Sequence, residues 1–292
     1  RTRRRRNIIL AGFEYGYDRV GNKLYENRLD NPLWSEQYEY DGVYRLIGWS
    51  RNDGETQSWN LDDLGNWNEW RYDGTLETRD HNEVNELVKR EYDSNEENLV
   101  YDEDGNLIED NKFYYKWDAL NRLRKVINKN NNRIIEEYSY DVLNRRITKK
   151  FRNSRFGIRY IYSGWQVVEE RCGWLGVWER TKKSYIYGNY IDEPVVLNIH
   201  IGRRIRRFYY LHNSQYSVVA LVDRRGRIVE RYLYTPYGEV KVLGRRNRVR
   251  HRSLINDYLF TGRRYDWRTG LYYFRNRYYD PVKGRFIQRD PV

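Results

Sequence analysis

Apolar and polar residues alternate along most of this chain, the rhythm of strands that bury one face and wet the other. Strand signals persist where the pattern loosens, in Arg159-Tyr160-Ile161-Tyr162, in Trp165-Gln166-Val167-Val168-Glu169 and in Ser184-Tyr185-Ile186-Tyr187. Downstream, Phe208-Tyr209-Tyr210-Leu211-His212, the run 216–222 and the run 228–234 predict a meander, with turns at Asp223-Arg224-Arg225-Gly226 and Pro236-Tyr237-Gly238. Residues 259–292 predict three short strands joined by tight turns, their Tyr and Phe positions facing inward. Residues 244–256 predict an exposed basic loop before that closing stretch. No segment has the period of an amphipathic helix.

The alternation is organised by a repeat of the form aromatic-x-Tyr-Asp-x-x-Gly-Asn-x-Leu. It is clear at Tyr17-Asp18-Arg19-Val20-Gly21-Asn22 and Leu61-Asp62-Asp63-Leu64-Gly65-Asn66. It returns at Tyr101-Asp102-Glu103-Asp104-Gly105-Asn106, Trp117-Asp118 and Tyr140-Asp141. Tyr40-Asp41 is a looser copy and His81-Asn82 a degraded one. The anchors Asp18, Asp41, Asp62, Asn82, Asp102, Asp118 and Asp141 are 23, 21, 20, 20, 16 and 23 residues apart. An aspartate at the head of a turn accepts hydrogen bonds from backbone N–H groups two or more residues on. Glycine or asparagine three residues later tolerates a positive φ. A period of this length accommodates two strands and two turns, so each unit is a hairpin that must stack on its neighbours to cover its apolar face.

Composition changes the picture in one respect: the buried area is aromatic. The 292 residues include 30 Tyr and 10 Trp, while 33% are charged. Aromatic residues favour pleated sheet and bury large areas while keeping a polar tip available. The net charge of +12 hides an asymmetry. Residues 30–118 hold 24 Asp/Glu against 8 Lys/Arg, and residues 119–292 hold 15 against 38. Halves of opposite sign attract each other or neighbouring copies. The single cysteine, Cys172, excludes an internal disulfide framework and a cysteine-based metal cage. No apolar run approaches the roughly 18 residues of a helical membrane span. The arginine-rich opening at 1–6 has neither a signal segment nor a starting Met, so the natural start is expected to lie elsewhere.

The Tyr-Asp-x-x-Gly-Asn blocks resemble the YD repeats of RHS proteins. The resemblance sharpens at Thr235-Pro236-Tyr237-Gly238, Phe260-Thr261-Gly262-Arg263-Arg264-Tyr265-Asp266, Gly270-Leu271-Tyr272-Tyr273-Phe274-Arg275-Asn276-Arg277-Tyr278-Tyr279-Asp280-Pro281 and Gly284-Arg285-Phe286-Ile287-Gln288-Arg289-Asp290-Pro291, which are similar to the RHS-associated core. It implies an all-β fold of stacked hairpins forming a spiral sheet, part of a hollow shell. In bacterial RHS proteins and the C component of Tc toxins such a shell encloses a C-terminal toxin; in teneurins a similar barrel serves adhesion. The expected organisation is YD hairpins over 1–150, continuing shell over 151–231 and the core segment over 232–292. The expected function is an encapsulating wall of a secreted or cell-surface bacterial protein, with a C-terminal toxin or passenger of the same polypeptide as its partner. Further copies of the chain and cell-surface glycans are additional candidate partners. The alternative is an extracellular adhesion or filament protein without cargo. The resemblance also implies one aspartyl self-cleavage event rather than enzymatic turnover, with Arg277 and Asp290 as participants and a further Asp-Pro beyond Val292.

Other chemistry is weighed against plainer readings. Calcium loops carry oxygen ligands more densely than these turns do, so Asp18, Asp41, Asp62, Asp102, Asp118 and Asp141 are read as turn caps together with Gly21, Gly65 and Gly105. Asp280-Pro281 is read as a turn starter. His81, His200, His212 and His251 are far apart in sequence and show no ligand spacing, so no metal and no cofactor are expected. Cys172 is read as a small buried filler. The basic clusters at 203–207, 224–227 and 245–252 are read as charges that protect sheet edges rather than as a nucleic-acid surface.

Overall fold

The computed structural model describes residues 8–152, 154–253 and 255–290. The arginines at 1–6, Leu254 and Pro291 lie outside the described residues. The chain divides into two compact units, one ending at Leu99 and the other beginning at Val100.

The first unit is a nine-stranded antiparallel sheet in strict chain order, from Phe13–Tyr17 to Asn95–Asn98. The repeat turn explains the order. In the first one, Asp18 N–H donates to Asn22 O and Gly21 N–H donates back to Asp18 O. Gly21 takes a φ of 92°, and the strand register shifts between Gly16 and Tyr17. This is a tight hairpin whose left-handed residue makes a bulge, matching the twist of the strands it joins. The register shifts in the same place before Asp41, Asp62 and Asn82. The buried side chains of this unit include Trp34, Trp49, Trp59, Trp67 and Trp70, among Arg51, Arg79 and Arg90. Its lining is therefore tryptophan and arginine, not the tyrosine that the composition of the whole chain implies.

The second unit has two layers. A fifteen-stranded sheet runs in chain order from Val100–Tyr101 to Val249–Arg250, and a four-stranded sheet follows it. The small sheet comprises Arg264–Asp266, Leu271–Phe274, Arg277–Asp280 and Arg285–Phe286. The closing stretch thus forms four strands rather than three, because Arg285–Phe286 pairs back on Tyr279 and Asp280. The core lies between the layers. Tyr160, Leu197, Leu221 and Tyr232 of the large sheet pack with Leu259, Tyr272 and Tyr279. Each leucine among them contributes about 1.5–3 kcal/mol on full burial.

The segment at 244–256 differs from a free basic loop. Arg245–Asn247 forms one 3-10 turn and Val249–Arg250 pairs with the strand Val240–Leu243. Ser253 and Asn256 are buried. Ser253 Oγ donates to Glu230 Oε2 at 2.5 Å and Asn256 Nδ2 donates to Tyr258 O at 2.6 Å. Polar residues that look solvated in sequence are here satisfied inside.

Candidate functional site

The repeat turns are one kind of candidate site. Asp18 Oδ1 accepts from the N–H of Val20 and Asn22, and its Oδ2 accepts from Asn22 Nδ2. Asp62 makes the same set with Leu64 and Asn66. At Asp41, Asp118 and Asp141 an arginine four residues on replaces the asparagine and donates through Nε to the second oxygen. Asp102 accepts from both the backbone and the side chain of Asn106. Gly65 and Gly105 take φ of 87° and 78°. The backbone N–H of Arg45 leads the interactions that hold the Asp41 carboxyl below its ordinary range. These carboxylates are occupied by their own turns.

Two further regularities were not read from the sequence. First, the tyrosine just before an anchor donates across the repeat to the carbonyl five residues after the previous anchor. Tyr40 OH reaches Lys23 O at 3.0 Å and Tyr140 OH reaches Leu123 O at 2.6 Å. Tyr162 OH reaches Arg146 O, five residues after Asp141, and Tyr234 OH reaches Val218 O, five residues after Asn213, which heads a turn of the same form. Second, the side chain four residues after an anchor reaches the next turn. Arg45 donates to Asp62 O, Asn66 to Asn85, Asn106 to Asn121, and Arg122 to Asn144. The signal for the second was present in the Asn/Arg choice at that position.

Buried ion clusters tie the small sheet to the large one. Arg146 is 1% exposed and donates to Asp266 Oδ2 at 2.5 Å, while Lys149 donates to Asp266 Oδ1 at 2.6 Å. Tyr273 stacks against the Arg146 guanidinium at 4.3 Å and accepts from the Arg146 backbone N–H. Burial raises the Asp266 carboxyl, but Arg146 and Lys149 more than offset it and hold it well below its usual range. Nearby Glu136, bonded by Tyr138 OH at 2.7 Å, is pushed up to about 7 by burial. A second cluster joins Arg264 to Glu170 at 2.6 Å and Lys183 to Asp257 at 2.6 Å. There burial opposes ionisation of Glu170, yet Arg264 and Lys183 bring it down to about 2. The sequence signal was Glu-x-Tyr, as in Glu136-Glu137-Tyr138 and Glu230-Arg231-Tyr232, which puts both side chains on one face of a strand.

Arg277 and Asp290 are brought together. Arg277 Nη1 lies 2.5 Å from Asp290 Oδ1, and its guanidinium stacks on Phe286 at 3.5 Å. The approach of 287–289 is clasped. Leu107 N–H donates to Ile287 O, Gln288 Nε2 donates to Asn121 O and Asn276 O, and Gln288 Oε1 accepts from Tyr278 N–H. Arg289 packs where a Cβ on Gly105 would stand, 2.2 Å from its Nε. These groups border an open groove of about 750 Å³ that also includes Glu103, Asp104 and Arg122. The Asp290 side chain is 78% exposed. A solvated carboxylate is a weak acid–base catalyst, because efficient proton transfer needs a tuned, covered group.

Asp280 is occupied otherwise. It caps its own turn through Val282 and Lys283 N–H and receives Lys283 Nζ at 2.8 Å. Cys172 is half-buried, and burial raises its thiol above the ordinary value. Among the described residues no group of His, Cys, Asp or Glu is arranged to hold a metal ion, and no helix is long and apolar enough to cross a membrane. The latter says nothing of strands.

Comparison with known proteins completes the description. A family model described as the teneurin YD-shell matches residues 13–291. The tRNA3(Ser)-specific nuclease WapA of Bacillus spizizenii is 30% identical over 256 residues, 86% of this chain and 10% of that protein. Double-stranded DNA deaminase toxin A of Burkholderia cenocepacia is 26% identical over 313 residues, 95% of this chain and 20% of that protein. The crystal structure of TcdB2-TccC3-Cdc42 aligns with 95% of this chain and 18% of its own, at 18% identity and a TM-score of 0.48. The chain therefore spans only a tenth to a fifth of the length of these two sequence relatives.

Proposed function

The chain belongs to the teneurin YD-shell family, and from that premise we propose that it is a stretch of wall in a longer protein that keeps a C-terminal passenger, a toxin, apart from the cell. The role of the chain itself is structural. The observation that supports the enclosing role best is the order of the sheets: within each sheet, every strand bonds to its neighbour in the chain. A wall of paired strands with capped turns offers few openings to a protease. An adhesive role without cargo is not favoured, since the relatives include a tRNA nuclease and a DNA deaminase toxin.

In this reading residues 1–150 and 151–231 are wall, and 232–292 is the core segment from which the passenger is released. Arg277 and Asp290 take part in a single self-cleavage, with the following polypeptide covering the pair and removing it from water. The longer protein works outside a bacterial cell or on its surface, where other copies or glycans are further partners. The test is proteolysis of the full-length protein carrying its passenger. The passenger is expected to survive protease until the wall is unfolded; degradation at the rate of the isolated passenger sinks the reading. Arg277→Gln and Asp290→Asn are expected to leave one uncut polypeptide. Normal cleavage in both variants removes these residues from the reaction and leaves the enclosing role intact.

A further inference from the structure

The hairpins of the fifteen-stranded sheet turn alternately at two edges. The repeat turns occupy one edge. The other carries, in order along the sheet, the tips near 110–112, 129–133, 154–155, 175–177, 202–203, 224–226 and 245–247. Neighbouring tips are two strands, about 10 Å, apart. The two edges differ in how their polar groups are used. On the repeat edge the aspartates cap their own turns and the side chains four residues on reach the next turn. Asp223 on the other edge caps its turn in the same way, but the arginines at its tip reach no such neighbour among the described residues. On the other edge Arg203, Arg204, Arg224, Arg225, Arg245 and Arg246 are exposed. None of the six makes an ion pair among the described residues, whereas the flanking carboxylates Asp223 and Glu179 are already held by Arg227 and Arg159.

Large apolar side chains stand beside these arginines. Trp174 and Trp178 oppose each other across one hairpin and are 59% and 52% exposed, with Val177 at the tip 68% exposed. Phe156 pairs with Trp174 from the adjoining strand and is also exposed. Ile201 and Ile205 flank the next tip, and Val249 follows the last. Each of these side chains is hydrated at a cost that burial would recover.

Unpaired guanidinium groups alternating with indole and aliphatic side chains fit a surface that is anionic outside and apolar just beneath. The arginine heads stay with phosphates while the apolar parts enter the boundary between headgroups and acyl chains. A nucleic acid would use the arginines and the indoles but offers nothing to Ile201, Ile205 and Val249. The acidic hairpin tips of a second copy would use the charge and leave the indoles in water. We propose that this edge of the second unit is a peripheral docking surface for an anionic lipid bilayer. The inference does not depend on a passenger or on self-cleavage.

The test is co-sedimentation of the 292-residue chain with phosphatidylcholine vesicles, with and without phosphatidylserine, over a range of salt. Binding is expected to phosphatidylserine-containing vesicles, to be weak to phosphatidylcholine alone, and to fall as salt rises. Trp174→Ser with Trp178→Ser is expected to weaken binding at least about tenfold by removing the inserted apolar parts. Arg224→Gln with Arg225→Gln is expected to weaken it about tenfold and to flatten its salt dependence. Val142→Ser, on the repeat edge, is the control and leaves binding unchanged. Circular dichroism melts establish that each variant is folded, as expected for exposed sites. The proposal is overturned if phosphatidylserine vesicles are not bound at low salt, or if the tryptophan variant binds like the parent. Binding of a single-stranded oligonucleotide without vesicle binding assigns the edge to nucleic acid instead. Salt-reversible self-association without vesicle binding assigns it to a second copy.

Discussion

The two units use one turn and line their sheets differently. In the first, the interior is built from planar groups laid over one another. Arg79 stands over Trp67 at 4.3 Å, and Glu77 receives both Arg79 and Arg90. In the second, a small sheet covers the large one. Aliphatic residues such as Leu197 and Leu221 then reach full burial, and charges gather at a few points where the layers meet. The comparison separates two jobs of the repeat. Its turn sets strand order in both units, and its inward positions answer to whatever lies opposite them. In the second unit buried polar positions are paired across the two layers, whereas the first unit buries Leu87 and the group of Glu77, Arg79, Arg90 and Glu97 within its own sheet.

The largest effects are expected from breaking that pairing. Asp266→Ala leaves Arg146 and Lys149 buried without their main partner and should cost about 3–5 kcal/mol. The loss should appear as hydrogen exchange across 264–286 and as new tryptic cutting at exposed Arg268. Glu77→Ala is the matching change in the first unit, since it removes the buried carboxylate that Arg79 and Arg90 share and leaves Arg90 its pair with Glu97. It should open 67–98 and spare the second unit. Loss of protection at 264–286 in the Glu77 variant would show that the contrast between the linings is not energetic.

The next effect is on pH. Glu136 holds its proton up to about 7 in the folded chain, against an ordinary value of 4.5. Between those values the folded protein keeps a proton that the unfolded chain has released, so stability falls as pH rises from 4.5 to about 7, by up to about 3 kcal/mol. Asp266 and Glu170 act in the opposite sense: their contribution is present above the ordinary carboxylate range and is lost as pH falls towards 2. Glu136→Gln should abolish the decline between 4.5 and 7 and leave the acid limb. Thermal melts across that range that fall equally in both proteins would assign the decline to another group.

Smaller changes sharpen the contrast. Tyr234→Phe leaves Val218 O without its tyrosine inside the covered wall and should cost about 1–2 kcal/mol. Tyr40→Phe removes the equivalent bond at a partly exposed position of the first unit, where water substitutes, and should cost less than about 1 kcal/mol. Equal losses in denaturant titrations would mean that covering the wall does not matter to this bond. The smallest effect is a gain. Tyr44 occupies the left-handed turn position at φ 68° and is exposed. Tyr44→Asn should stabilise the first unit by about 0.5–1 kcal/mol. Tyr216, at φ 59°, stacks on Tyr190 at 4.3 Å, so the same change there should gain little.

Much of the fold was legible because turn chemistry is local. Asp18 and Gly21 lie three residues apart, and their bonds close within that span, so the hairpin and the all-β class follow from short words of sequence. Tyr140 was legible as a strand aromatic but not as a donor to Leu123 O, since that bond depends on register between repeats. Arg277 and Asp290 were visible only through resemblance to a family; their ion pair requires the bend after Phe286. Asp266 looked like any Tyr-Asp turn aspartate.

What the sequence determined by itself is the zigzag: regularly spaced aspartates, positive-φ residues and alternating aromatics dictate antiparallel strands in chain order, whatever surrounds them. Which of the many arginines, lysines and glutamates go inside is settled by packing between distant parts of the chain. Arg146 and Lys149 differ from the exposed Arg224 and Arg225 not in type or in local pattern but in having Asp266 and Glu136 placed against them. A charge enters a protein interior only where an opposite charge from a distant part of the chain meets it there, and the cost or gain of that meeting is set by distance and burial, which no local stretch of sequence contains.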